Sequence, residues 1–211
     1  MLYNKIMAHA RKRLFIGKKT GGNERIKLIK LALENECNTF VFSLDDPFFT
    51  SKNRNQKYIK LLITYPVNIE AGGRDLSLLL PKNLFMFNKE LFRMEQGKRT
   101  SKHHFCPTNP KTIEIIAGNA GNLIGNALTY VTSPRVFHLL PDEKHDNTWC
   151  QCPACRAFRP AEQYLIAVNT AADILAKFDP EAKLMYIDFD SEPEAARVKP
   201  RKNLVISVKG E

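Results

Sequence analysis

The chain has 211 residues, 44% hydrophobic and 26% charged, with a formal net charge of +10, and at roughly 100–200 residues per ordinary domain this length favours one domain spanning residues 1–211 over two. No apolar run reaches the ~18 residues needed to cross a bilayer, and the first 19 residues hold only Leu14-Phe15-Ile16 as an apolar stretch, so neither a membrane span nor a secretory signal is expected and the cytoplasm is the default location. The positive balance favours anionic partners, yet the basic residues are scattered over 5–13, 18–30, 52–60, 93–102 and 197–202 with no Arg-rich helix and no interleaved aromatics, which argues for solvated surface over nucleic acid.

Residues 13–17 (Arg-Leu-Phe-Ile-Gly) make a short strand, and over 24–36 a helix follows in which Ile26, Ile29, Leu33 and Cys37 recur at helical spacing. Residues 38–44 are rich in β-formers and are stopped by Asp45-Asp46-Pro47; residues 53–64 then supply a second helix carrying Tyr58, Ile59, Leu62 and Ile63. A third strand over 66–70 runs into Ala71-Gly72-Gly73-Arg74, and 76–107 is a long irregular excursion of the kind that often carries function. Thr108-Asn109-Pro110 caps a helix over 111–128, with Ile113, Ile116, Ala120, Leu123, Ile124 and Ala127 on one stripe, although Gly118, Gly121 and Gly125 weigh against it. Residues 135–140 form a fourth strand, 160–178 a helix, 183–189 a fifth strand and 203–208 a sixth.

Strands alternating with helices predict parallel βαβ units, in either an open doubly wound sheet or a closed barrel. No Gly-x-Gly-x-x-Gly follows the first strand, and the acidic residues cluster just past strand ends: Asp45 and Asp46, Glu70 to Arg74, Asp142 and Glu143, Asp188 and Asp190. Barrel enzymes place their chemistry there, so the expected class is α/β, a (β/α) TIM-type barrel. Eight strands need about 250 residues; an incomplete barrel of about six strands is therefore expected, with an open edge through which the chain self-associates.

Phe137-His138-Leu139-Leu140-Pro141 leads into Asp142-Glu143. Glycoside cleavage requires one carboxylic acid to protonate the leaving oxygen and a second group to stabilise positive charge at the anomeric carbon, which a carboxylate pair can supply. From spacing alone, a solvated strand-to-loop turn is the favoured reading.

The segment resembles the strand-four motif of β-N-acetylhexosaminidase-type barrels, a His inside the strand followed by Asp-Glu at its mouth, with His138, Asp142 and Glu143 at those positions. Trp149-Cys150-Gln151-Cys152-Pro153-Ala154-Cys155 is similar to the Trp-Cys-x-Cys-Pro-x-Cys stretch of a bacterial family of uncharacterised domains related to those enzymes and to α-glucuronidases. Gly72-Gly73-Arg74, Gly97-Lys98-Arg99 and Cys106-Pro107-Thr108-Asn109-Pro110 follow the same order, with Arg74 standing where that family usually has His. The resemblance implies a carbohydrate substrate and no cofactor for catalysis. It also implies Glu143 as general acid, Asp142 orienting the substrate's 2-acetamido group, and Arg74, Asp45, His138, Trp149 and Asp188 around the sugar.

Of the five cysteines, Cys37 has apolar neighbours and fits plain core. Cys150, Cys152 and Cys155 resemble part of a structural zinc site, with Cys106 or His145 as the fourth ligand; a disulfide and packed reduced thiols are the competing readings. Two other functions stay open at this point, a non-catalytic remnant or carbohydrate-binding protein of the same fold, and a zinc-stabilised nucleic-acid binder.

Overall fold

The computed structural model describes residues 12–17, 20–50, 57–102, 104–141, 149–187 and 196–206. Its centre is a sheet of six strands, β1 (Arg13–Ile16), β2 (Thr39–Phe42), β3 (Asn68–Gly73), β6 (Val136–Leu139), β7 (Lys183–Tyr186) and β8 (Leu204–Ile206). They lie side by side in chain order, and every adjacent pair is parallel. The remaining two strands, β4 (Met94–Glu95) and β5 (Lys98–Arg99), form a small antiparallel hairpin inside the excursion after β3. Among the described residues β1 and β8 are the sheet's edges.

Helices α1 (Gly22–Glu34), α2 (Pro47–Thr50), α3 (Lys57–Ile63), α4 (Pro110–Leu128) and α5 (Pro160–Phe178) connect these strands. The sequence decides most of this. Strand β2, Thr-Phe-Val-Phe, is buried at every position, as expected of a parallel strand covered on both faces. Helix α4 starts where Asn109 accepts a 2.9 Å bond from the Lys111 amide ahead of Pro110. Its glycines are tolerated because α4 and α5 pack together, with Gly121 facing Ile174 and Gly125 facing Phe178. The excursion, expected to be irregular, is built from 3-10 turns at Leu76–Leu79, Lys82–Met86 and Lys89–Leu91 together with the hairpin.

Alternation along the strands separates two faces. Ile16, Phe40, Phe42, Ile69, Ala71, Phe137, Leu139, Leu184 and Tyr186 join the helices' Ile29, Ile116, Ile124, Val168 and Leu175 in one apolar core. Phe15, Val41, Glu70, His138 and Met185 belong to the opposite set, the interior face of a barrel wall. Strand β3 continues beyond the expected 66–70 into both glycines because Gly72 pairs with His138 so closely that a Cβ would lie 1.9 Å from the His138 carbonyl oxygen, at a φ of +111°.

Candidate functional site at the carboxyl end of the sheet

Asp45 and Asp46, adjacent in sequence, have different surroundings. Asp46 is buried and held by Arg25, whose Nη1 and Nη2 each lie 2.9 Å from its oxygens, and it accepts the Phe48 amide at 2.9 Å, so it anchors the start of α2. Asp45 is exposed, with its Oδ1 2.7 Å from the Ser43 hydroxyl. The same hydroxyl lies 2.7 Å from Oδ1 of the buried Asp75, whose Oδ2 takes the Leu44 amide at 2.8 Å. Asp75 thereby ties the end of β2 to the turn after β3.

Arg74 projects from the end of β3 and is exposed, and its Nη1 donates to the Pro141 carbonyl at 3.2 Å, one residue before Asp142. The Leu140 amide donates to Gly73 at 2.7 Å, so β3 and β6 stay in register up to the mouth of the sheet. Arg74 and Asp45 therefore stand at the carboxyl ends of neighbouring strands, where a barrel gathers its chemistry. Asp142, Glu143 and His145, with Asp188 and Asp190, lie outside the described residues.

His138, expected to touch the sugar, is buried within the sheet, 1% exposed. Its Nε2 is 2.7 Å from Glu70 Oε2, to which Arg13 Nε also donates at 2.9 Å, and the edge of Phe15 meets its ring at 5.3 Å. Burial alone would raise the Glu70 carboxyl, but the hydrogen bonds from His138 and then Arg13 outweigh it and hold the group at about 2 instead of the ordinary 4.5. His138 Nδ1 is buried with no partner among the described residues. In this arrangement His138 supports the wall beneath the mouth and does not line an open surface.

Trp149, expected to offer a ring face to a sugar, is 4% exposed. The His104 ring stacks on it at 4.0 Å, Phe105 meets it edge-on at 6.2 Å and Tyr164 lies at 6.0 Å. Its place is loop packing, with the ring enclosed by these aromatic neighbours.

The sulfurs of Cys106, Cys150, Cys152 and Cys155 lie within 4.8 Å of one another, all four buried and none in a disulfide. Of the two candidates for the fourth position, Cys106 lies with the other three thiols, and His145 lies outside the described residues. Cys106 Sγ is 3.7 Å from Cys152 Sγ and 3.6 Å from Cys155 Sγ. The hydrogen bonds of Cys150 and Cys155, with Arg99 and Thr108, hold the Cys106 thiol far below its ordinary value, and their bonds to Cys106 push Cys150 and Cys155 up. This donor set could hold a metal ion.

Gln163, in the first turn of α5, secures the segment that carries three of these thiols. Its Oε1 accepts the Cys150 amide at 3.0 Å, and its Nε2 lies 3.2, 3.1 and 3.2 Å from the carbonyls of Cys150, Cys155 and Phe158. Sequence reasoning missed Gln163, Asp75 and the joining of Arg13, Glu70 and His138 into one group, although it named Glu70 and His138 separately. A charged Glu70 inside an otherwise apolar strand is the signal that could have exposed the last of these. A glutamine on a helix gives none.

No protein-family model matches the chain, and no curated protein sequence matches it. Solved structures do. One of the pneumococcal exo-β-D-N-acetylglucosaminidase StrH, with tandem GH20 catalytic modules, aligns with a TM-score of 0.61 at 12% identity over 92% of this chain and 58% of that one. A second StrH structure gives 0.64 at 11% over 92% and 57%. The β-N-acetylhexosaminidase of Bacteroides fragilis NCTC 9343 gives 0.52 at 16% over 94% and 44%. The chain thus spans less than two thirds of the length of these neighbours. At such identities the likeness is one of fold: an α/β architecture with a parallel sheet and outer helices, of the (β/α)-barrel kind found in these glycoside hydrolases.

Proposed function

We propose that this chain belongs to a carbohydrate-acting barrel that hydrolyses a glycoside, with Glu143 as the general acid and Asp142 orienting a 2-acetamido group of the substrate. The supporting observation is the mouth of the sheet: β3 and β6 pair in register as far as Gly73 and Leu139, and beyond them Arg74 hydrogen-bonds the Pro141 carbonyl, immediately before the Asp142-Glu143 pair. Arg74 and Asp45 are assigned to the rim of the sugar site, joined by Asp188 after β7. His138 and Trp149 act on this site by holding the wall and the loop in place. The Trp149 to Cys155 signature and the Gly72-Gly73-Arg74 turn attach the chain to the bacterial domain family related to β-N-acetylhexosaminidases and α-glucuronidases. The chemistry needs no cofactor, and a metal at the cysteine cluster would be structural, since the four buried thiols leave no coordination position for a substrate.

The test uses the product of the whole reading frame on β-N-acetylhexosaminides. Glu143→Gln is expected to abolish turnover of substrates with poor leaving groups and to spare part of the activity on activated aryl glycosides, which need little protonation, while Asp142→Asn lowers both. A Glu143→Gln enzyme that stays within a fewfold of the wild-type rate on an unactivated substrate refutes the assignment. Glycan binding without turnover by the wild type favours a binding protein of the same fold instead.

A further inference from the structure

We propose that Cys106, Cys150, Cys152 and Cys155 hold one zinc ion as a tetrathiolate, and that this ion clamps the excursion after β3 to the segment that follows β6. The inference holds whatever the barrel acts on.

Geometry carries the first half. A tetrahedral zinc with Zn–S bonds of about 2.3 Å places its sulfurs about 3.8 Å apart. The separations of Cys106 from Cys152 and Cys155 are 3.7 and 3.6 Å, and no pair of the four exceeds 4.8 Å. The residues are 2%, 2%, 5% and 0% exposed, and Met94 packs against the group from the hairpin. Four sulfurs around a point, sealed from water, form a closed site of the structural type. The donors are all soft thiolates with no carboxylate or carbonyl among them, which selects zinc over magnesium or calcium.

Charge carries the second. Four thiolates around a dication leave the cluster two units negative, and the surroundings answer with donors. Met94 N lies 3.3 Å from Cys150 Sγ, Arg99 Nη1 3.6 Å from the same sulfur, and Thr108 Oγ1 3.0 Å from Cys155 Sγ. Arg99 is itself fixed by a 2.6 Å bond to the Phe92 carbonyl. Such outer donors orient thiolates and moderate their charge. The ligands come from two segments already joined by the Gln151 amide on the Met94 carbonyl at 2.8 Å, and Gln163 holds the second segment to α5. The ion would therefore close a preformed cup rather than organise a loose chain.

Elemental analysis of the full chain, purified under reducing conditions without chelator, is expected to give about one zinc per chain, with little iron. Titrating the thiols with a mercurial releases that zinc to a chromogenic chelator, and cobalt(II) added to the stripped protein gives the visible spectrum of a tetrahedral thiolate site. Cys152→Ser is expected to lower zinc retention strongly. Arg99→Gln keeps all four ligands and tests the outer donors: with the fold confirmed by circular dichroism, zinc is expected to remain but to exchange to a chelator about 10–100-fold faster. Substoichiometric zinc together with no cobalt–thiolate spectrum overturns the proposal, as does stoichiometric iron in place of zinc. An unchanged exchange rate in Arg99→Gln overturns the role given to Arg99. None of these measurements involves a glycan, so their failure is distinct from failure of the hydrolase reading.

Discussion

Replacing Glu70 with Gln removes a single negative charge from the interior face of the sheet and leaves its volume almost unchanged. The carboxylate is 1% exposed and receives Arg13 Nε at 2.9 Å and His138 Nε2 at 2.7 Å on one oxygen. Its folded-state value of about 2 lies below the ordinary 4.5. At about 1.4 kcal/mol for each pH unit, that interval corresponds to about 3 kcal/mol of stability. Since the folded value is the lower one, the contribution is complete above about pH 4.5 and is lost as the pH falls toward 2. Urea unfolding of wild type and Glu70→Gln, followed by the fluorescence of Trp149, the single tryptophan, supplies the measurement. The wild type is expected to be more stable by about 3 kcal/mol at pH 7, and by about half that or less at pH 3. Two proteins within about 0.5 kcal/mol at pH 7, or a difference that is the same at both pH values, would refute the reasoning.

Gly72→Ala puts a methyl group into the His138 carbonyl at a φ of +111°, and is expected to cost more than about 4 kcal/mol or to prevent folding. Gly97→Ala, at a φ of +77° with open space around it, should lose only about 1–2 kcal/mol; thermal melts of both variants compare them directly. Gln163→Leu strands the Cys150 amide and the carbonyls of Cys150, Cys155 and Phe158, so a loss of about 2–4 kcal/mol is expected, with a weakened near-ultraviolet dichroism from Trp149. Unaltered unfolding in urea would show that water replaces those bonds without penalty.

The fold was legible where burial and periodicity agree. Thr39–Phe42 reads as a strand because it is rich in β-formers, and the structure buries each of its residues; Pro160–Phe178 reads as a helix because Leu165, Val168, Ala172 and Leu175 recur on one stripe, which the fold covers. The end of β3 was misplaced because glycines usually mark turns, whereas Gly72 is required in the strand by the closeness of His138. The thiol spacing Cys150-x-Cys152-x-x-Cys155 was legible as a candidate ligand set, but the approach of Cys106 to it depends on where a segment 44 residues upstream of Cys150 returns in space. Trp149 and His138 were placed around the sugar by the resemblance to β-N-acetylhexosaminidase-type barrels. Their burial depends on His104, Phe105 and Glu70, which are distant in sequence and therefore invisible to spacing.

The first turn of α5 bears on the behaviour of the mouth as a mechanical object. Glu162 accepts the amides of Arg159, Arg197 and Val198, while the next residue, Gln163, grips the main chain at Cys150, Cys155 and Phe158. The strands β6 and β7 thus send out chain that comes back to adjacent side chains on one helical turn. A small rotation of that turn moves both return points together. A displacement of α5 against the sheet is thus felt by both segments at once, and the packed contact of α5 with α4 sets how stiff that displacement is.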